Sequence, residues 1–186
     1  MAAATLPGDF VIWLLALLEM TTFAILFIGF AGAKLAQPEV FAAGQAKLAL
    51  WSGAVNTVLL VSASACGAWA LHAVRTQRNR QGSHWLLGAL ALGIGFLVVK
   101  SIEYWQKWQL GLDFANNTFD MLYVMLTGFH FLHALVGCVL FALVWAPTRS
   151  GKYTPDNCST LETVTVFWHM VDLLWMILFP LVYVLR

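Results

Sequence analysis

The chain has 186 residues, of which 61% are hydrophobic and only 10% are charged, and its mean hydropathy is +0.78. This composition leaves too little polar surface for a soluble globular domain and indicates a protein with several membrane-spanning segments. The formal net charge of +1 and the lack of any long basic or acidic block argue against nucleic acid as a partner.

Five apolar runs are each long enough for the roughly 20 residues that a membrane-spanning helix needs. In chain order they cover residues 10–33, 51–74, 85–107, 120–145 and 162–185. The first run is too long for a cleavable signal peptide and lacks a basic leader, so we interpret it as a retained helix. Together the runs predict one transmembrane domain over residues 1–186, an all-α bundle of five helices.

The first run contains one acidic residue, Glu19. It lies nine residues into the run, which corresponds to a depth of roughly 14 Å at the helical rise of 1.5 Å per residue. A carboxyl group at that depth either stays protonated or finds a partner on another helix. Glu19 is therefore one of four candidates for a buried or proton-linked group, together with His133, His169 and Asp172 of the later runs.

The second and third runs add polar residues near the outer surface. Asn56 and Thr57 are expected to hydrogen-bond across helices. Lys100 and Glu103 are three residues apart, which predicts an ion pair, with the long lysine stem carrying its ammonium group to the interface. The alternative is that Glu103 and Tyr104 contact a lipid headgroup or a neighbouring subunit.

The fourth and fifth runs each carry ionisable residues three positions apart. His130 and His133 lie in the fourth run, whereas His169 and Asp172 lie in the fifth. Such residues are rare in membranes and usually face the bundle interior, where they serve a function.

The depths of these residues leave two arrangements open. Helical rise could place Glu19, His133 and Asp172 at one level in a network of buried acids and imidazoles. The alternative is that His169 and Asp172 only hydrogen-bond to each other and fix a helix contact. Six further residues are candidates for contact with lipid or a neighbouring subunit: Asn56, Lys100, Glu103, Tyr104, His130 and Trp168.

The sequence offers little support for a cofactor in this chain. Two histidines three apart differ by roughly 4.5 Å of rise and about 60° of rotation, so His130 and His133 cannot hold both faces of one haem. The three cysteines have no zinc spacing, and no catalytic motif is present. We predict no metal ligand and no catalytic residue. A haem-binding cytochrome and a small transporter are minor alternatives.

Basic residues set the expected orientation. The second and fourth loops contain Arg75, Arg78, Arg80, Arg149 and Lys152, against Lys34, Lys47, Lys107 and Arg186 on the opposite side. Because cytoplasmic loops are enriched in lysine and arginine, we expect a cytoplasmic N-terminus and a periplasmic C-terminus in a bacterial inner membrane.

Motifs in all five runs occur together in one order. They are Glu19 with Phe23, Asn56-Thr57 with Ser62 and Ser64, Glu103-Tyr104, Thr127-Gly128-Phe129-His130 with His133 and Gly137, and Trp168-His169 with Asp172 and Trp175. In this pattern the chain resembles subunit III of the haem-copper respiratory oxidases. The resemblance implies a non-catalytic bundle without cofactors that supports the assembly, stability or proton uptake of a subunit I-type catalytic partner. The resemblance also implies that this partner carries haem and copper or non-haem iron, and that the bundle can bind phospholipid. In the family, the carboxyl group that matches Glu19 is the reactive buried acid.

Two features resemble a shorter branch of this family. Longer members begin with two additional helices, and this chain begins at what would be their third. Lys100 and Lys107 around Glu103-Tyr104, and the ending 168–175 with Phe179-Pro180, resemble the branch associated with nitric oxide reductase in denitrifying bacteria. We therefore expect the nitric oxide reductase-associated type, with subunit III of a cytochrome c or quinol oxidase as the alternative.

Overall fold

The computed structural model describes residues 8–109 and 117–185. These residues form six α-helices and a C-terminal π-helical turn: α1 Phe10–Ala36, α2 Pro38–Ala46, α3 Leu50–Arg75, α4 Asn79–Gln109, α5 Thr118–Arg149, α6 Ser159–Phe179 and the turn Pro180–Val184. Five helices are long and apolar enough to cross a membrane, the last of them extending over Ser159–Val184. The predicted all-α membrane bundle of five helices is confirmed.

The long helices pack as a bundle in which α6 holds a central position. Helices α3 and α4 form the most extensive pair and are joined by a tight turn in which Gln77 has a φ of 59°. Helix α5 packs on α4, and α6 packs against both α3 and α5. Helix α1 lies at the edge, where it contacts α5 and α6 and leaves most of its apolar side chains exposed. Only a few of its residues enter the core.

The short helix α2 is absent from the predictions because nine residues are too few for a hydropathy signal. Pro38 stands at its first position, where the missing N–H group costs nothing. Phe41 packs edge-on against Phe30 and Phe119, at centroid distances of 5.1 and 5.4 Å. Gln45 Nε2 donates to the carbonyl of Val182 at 2.9 Å. Helix α2 therefore ties α1 to α5 and to the C-terminal turn.

Close helix contact in the centre of the bundle depends on Trp168 and two glycines. The indole of Trp168 is buried and lies 4.9 Å from Phe141, centroid to centroid. A Cβ atom added at Gly137 of α5 would lie 2.5 Å from the indole, and one at Gly93 of α4 would lie 2.8 Å from it. Only glycine fits at these two positions, because the indole fills the space between α4, α5 and α6.

Candidate functional site

The carboxyl group of Glu19 on α1 faces the imidazole of His133 on α5. Glu19 Oε2 lies 3.1 Å from His133 Nε2, and the two side chains are 27% and 16% exposed. The other ring nitrogen, Nδ1, lies 2.7 Å from the carbonyl of Phe129, which can only accept, so Nδ1 carries a proton. Phe23 packs edge-on against the imidazole at 5.4 Å. Glu19 thus finds its partner on another helix, which is one of the two outcomes expected for it.

This geometry gives the pair one proton that can sit on either group. If the proton is on Glu19, its hydroxyl donates to a neutral Nε2; if it is on Nε2, the imidazolium donates to a carboxylate. The pair has no net charge in either arrangement, which suits a half-buried position within the membrane. A proton can therefore move between Glu19 and His133 without leaving an isolated charge in the membrane.

Asp172 and His169 belong to a second group, between α3 and α6. Ser64 Oγ lies 2.5 Å from His169 Nδ1, and the Ser64 hydroxyl also lies against the Asp172 carboxyl group. Asp172 Oδ1 is buried without a hydrogen-bond partner among the described residues, whereas the His169 side chain is exposed. Ser64 is thus the shared neighbour of both ionisable groups.

The structure differs from both arrangements expected for these residues, the shared network of Glu19, His133 and Asp172 and the direct hydrogen bond of His169 to Asp172. In the described part of the chain, no hydrogen bond or ion pair joins Glu19 and His133 to Asp172, so the expected single network is replaced by two pairs of helices. The direct hydrogen bond expected between His169 and Asp172 is replaced by Ser64 on α3. Depth along a helix was estimated from sequence, but the rotation of each helix decides which neighbour a side chain meets.

Glu103, near the C-terminal end of α4, is the centre of a polar cluster inside the bundle. Its Oε1 accepts hydrogen bonds from Tyr123 at 2.6 Å and Tyr183 at 2.7 Å, and lies 3.2 Å from Lys100 Nζ. Its Oε2 accepts from Ser52 Oγ at 2.7 Å. The carboxylate therefore receives hydrogen bonds from residues of three helices and of the C-terminal turn.

Two lysines flank this carboxylate. Lys100 is fully buried and also donates to Tyr183 at 2.6 Å and Tyr123 at 3.0 Å. Lys107 Nζ lies 3.6 Å from Glu103 Oε1 and 3.5 Å from the centroid of the Tyr123 ring. The expected ion pair of Lys100 and Glu103 is present, but Lys100 does not extend to the interface, because its stem packs among aromatic rings inside the bundle.

Most candidates for lipid or subunit contact are likewise inside the bundle. Asn56 and His130 have no exposed surface, Trp168 is 1% exposed and Glu103 4%. His130 Nε2 donates to the carbonyl of Val171 at 3.0 Å. The prediction that these residues and Lys100 contact lipid or another subunit is therefore wrong for the chain by itself, because helix packing covers them. Among the six candidates, only Tyr104 keeps a half-buried side chain, and its hydroxyl donates to Thr127 at 2.8 Å.

The expected hydrogen bonds across helices involve only one of the two residues. Thr57 Oγ1 accepts from Trp175 Nε1 at 2.9 Å, which joins α3 to α6. The side chain of Asn56 has no hydrogen-bond partner among the described residues, although it is completely buried.

Sequence reasoning missed the tyrosines of the Glu103 cluster. Tyr183 is 80 positions from Glu103, and a tyrosine near the end of a membrane run usually indicates an interfacial anchor. Tyr123 follows the same rule. The local signal that was available, a glutamate between two lysines in an apolar run, indicates a need for hydrogen-bond partners but not their identity.

A further charged cluster lies where α3 ends and α6 begins. Arg75 pairs with Glu162 Oε1 at 2.7 Å, and the backbone N–H of Gly8 donates to Glu162 Oε2 at 2.8 Å. The Cys158 thiol lies 3.2 Å from Glu162 Oε1. Burial raises the pKa of Cys158 above its usual value, and the neighbouring carboxylate of Glu162 raises it further. This cluster connects the start of α1 to the end of α3 and the start of α6.

The histidines do not converge on a common point. His133 faces Glu19 of α1, His130 faces Val171 of α6 and His169 faces Ser64 of α3. Across residues 8–109 and 117–185, no group of three or more histidine, cysteine, aspartate or glutamate residues is arranged to hold a metal ion.

Comparison with known proteins identifies the family. Residues 10–186 match the family model described as cytochrome c oxidase subunit III. Cytochrome c oxidase subunit 3 of Synechocystis is 32% identical over 143 residues, which are 76% of this chain and 60% of that relative. The corresponding protein of Thermostichus vulcanus is 31% identical over 132 residues, 70% of this chain and 64% of the relative.

A more distant relative shares the same name. Cytochrome c oxidase subunit 3 of Spodoptera frugiperda is 26% identical over 129 residues, which are 69% of this chain and 86% of that relative. The match to the first two relatives covers less than two thirds of their length. The family match nevertheless extends from the start of α1 through α6, over all five membrane-spanning helices. The chain therefore belongs to the cytochrome c oxidase subunit III family.

Proposed function

We propose that the chain is a non-catalytic auxiliary subunit of a respiratory haem-copper oxidoreductase. Its partner is a subunit I-type catalytic membrane protein that carries haem together with copper or non-haem iron. Family membership supports this role. We place the chain in the bacterial inner membrane, with the loops that contain Arg75 and Arg149 in the cytoplasm.

The Glu19–His133 pair is the observation that supports a role in proton uptake. Its single shared proton can move between Oε2 and Nε2 over 3.1 Å, and both side chains are partly exposed. A protein of the inner membrane that supplies a proton-consuming catalytic subunit needs protonatable groups that tolerate the apolar environment. Glu19 is the proton-exchanging group in this proposal, and His133 positions it and shares its proton. Asp172 and His169 form a second candidate for the same task.

The nitric oxide reductase-associated type remains a prediction. The feature that favours it is the sequence resemblance of Lys100 and Lys107 around Glu103-Tyr104, and of the ending 168–175, to that branch. The relatives reported above are all named cytochrome c oxidase subunit 3, which favours the oxidase type. The metals of the catalytic partner distinguish the two, because an oxidase contains copper beside haem whereas a nitric oxide reductase contains non-haem iron.

The test is to purify the catalytic enzyme from a strain that contains this chain and from a strain that lacks it, and to compare how long each preparation stays active. The proposal predicts that the enzyme without the chain retains its haem and its initial turnover chemistry but loses activity faster during turnover. Restoring the chain from a plasmid is expected to restore lasting activity. Equal durations of activity with and without the chain would contradict a supporting role.

A further inference from the structure

A groove of about 510 Å³ lies between α3 and α6. Its α3 wall consists of Ala68, Leu71, His72 and Arg75, and its α6 wall of Glu162, Thr165, Val166 and His169. Both walls follow the spacing i, i+3, i+4, i+7, which is one face of a helix. The groove therefore runs parallel to both helices for roughly 10 Å.

The shape of the groove fits a third helix. Two parallel helical faces leave a channel into which the side chains of another helix can pack. Ala68 and Thr165 are the small residues of the two walls, and small residues allow the backbones of membrane helices to approach closely. Ala68 is exposed in the chain by itself, so its surface is available to an incoming helix.

The polar groups of the groove require more than lipid as a neighbour. His169 is exposed ten residues into the last span, which places it roughly 15 Å along the helix axis from Ser159. Ser64 occupies Nδ1 of this imidazole, so acyl chains at that depth would leave Nε2 without a hydrogen-bond partner, an arrangement that costs free energy. A polar side chain on a neighbouring helix removes that cost.

The mouth of the groove presents hydrogen-bond donors. Glu162 already accepts from Arg75, Gly8 and Cys158, so its carboxylate is occupied. The Arg75 side chain is 48% exposed and uses one nitrogen for this pair, which leaves further guanidinium donors. The complementary partner carries a carboxylate or another acceptor at this end.

A second copy of this chain does not satisfy these requirements. In a twofold dimer the same surface of each copy would face the other, so one concave groove would lie over another. The cationic Arg75 residues would also approach each other. The occupant must instead be a convex helix with an acceptor near its cytoplasmic end.

We infer that the α3–α6 groove is the docking surface for a transmembrane helix of the catalytic subunit, bearing an acceptor opposite Arg75 and a polar side chain opposite His169. This inference rests on the proposed function, since it needs a catalytic partner. It assigns the contact to one face of the bundle and distinguishes it from the Glu19–His133 pair, whose polar groups already satisfy each other.

Replacing one of two exposed alanines by tryptophan tests the inference. Ala68 and Ala142 are both exposed, and each lies seven residues before the arginine that ends its helix, Arg75 in α3 and Arg149 in α5. Ala68→Trp fills the groove, whereas Ala142→Trp adds the same bulk at the same depth on another face. The catalytic subunit that co-purifies with the tagged chain is expected to fall about tenfold for Ala68→Trp and to stay at the wild-type level for Ala142→Trp.

Crosslinking provides a second measurement that does not depend on filling the groove. A maleimide-linked benzophenone on Ala68→Cys, activated by light in native membranes, is expected to join the chain to the catalytic subunit. The same probe on Ala142→Cys is the control and is expected to give no such adduct.

Several results would overturn the inference. They are undiminished co-purification with Ala68→Trp, equal loss with both tryptophan variants, or adducts of Ala68→Cys with only lipid or a second copy. In each case a wild-type chain that still co-purifies with the catalytic subunit leaves the proposed function intact. A wild-type chain that co-purifies with no haem-copper subunit overturns both.

Discussion

The hydroxyl of Tyr183 donates to Glu103 Oε1 over 2.7 Å and so joins the C-terminal turn to the middle of the polypeptide. The same carboxylate oxygen accepts from Tyr123 and pairs with Lys100. These buried groups depend on one another, because each removes the cost of burying the others. The cluster therefore acts as a junction between α4, α5 and the end of the chain.

Glu103→Gln is expected to destabilise the bundle by about 3 kcal/mol or more, because it leaves Lys100 as a buried cation without its counter-ion. Lys100→Met is expected to cost less, since Glu103 keeps its hydroxyl donors and Lys107. Thermal unfolding of the purified chain in mild detergent measures both. The double variant should lose less than the sum of the two. Additive losses would contradict a coupled cluster.

Gly137→Ala is expected to destabilise the chain by about 1–3 kcal/mol, since the new methyl group would overlap the buried indole of Trp168. Gly128→Ala in the same helix is the matched control, because nothing lies within 4 Å of its added Cβ atom. That variant should be neutral or slightly stabilising, as alanine favours helix more than glycine does. Equal melting temperatures for the two variants would mean that Trp168 does not limit the approach of α5 and α6.

Glu19→Gln in the assembled enzyme is expected to slow turnover and to hasten the loss of activity, because glutamine keeps the hydrogen bond to His133 but cannot release a proton. His133→Gln should have the same effect. Since the two groups share one proton, the double variant is expected to be no worse than either single variant. Haem content per enzyme serves as the control for assembly. Unchanged turnover and unchanged duration of activity would leave the pair with a structural role.

Cys158 is expected to react slowly with alkylating reagents at pH 7.5. Burial and the Glu162 carboxylate raise its pKa, so less thiolate is present at neutral pH, and the rate should still rise at a pH where an exposed thiol is already ionised. A chain with Cys66→Ala and Cys138→Ala isolates this thiol. Lys152→Cys, combined with Cys158→Ser, places an exposed thiol in the same loop as the control.

Mass spectrometry of the alkylated protein measures both rates across the pH range. Cys158 is expected to react at least about tenfold more slowly than the thiol at position 152. The same pH dependence for the two thiols would show that the environment of Cys158 does not favour its protonated form.

Local spacing predicted some parts of the fold and the site. Apolar runs of sufficient length predicted the five membrane helices, and a separation of three residues predicted the pair of Lys100 and Glu103. In both cases the relevant information lies within a few helical turns.

Contacts between distant helices could not be predicted in the same way. Helical rise gave Glu19 a depth, but only the rotation and packing of α1 and α5 bring it to His133. The rotation of α6 places His169 beside Ser64 of α3 and leaves Asp172 outside the Glu19 pair. Tyr183 reaches Glu103 because the chain continues past Phe179 into a π-helical turn, and no local pattern indicates that.

Purification of the tagged chain from native membranes in mild detergent tests the central claim most directly. The proteins that co-purify are identified by mass spectrometry, and the haem, copper and iron of the complex are measured. The account predicts a stoichiometric haem-copper superfamily catalytic subunit, with all haem and metal assigned to that partner. A chain that purifies alone, or that carries stoichiometric haem by itself, would contradict it.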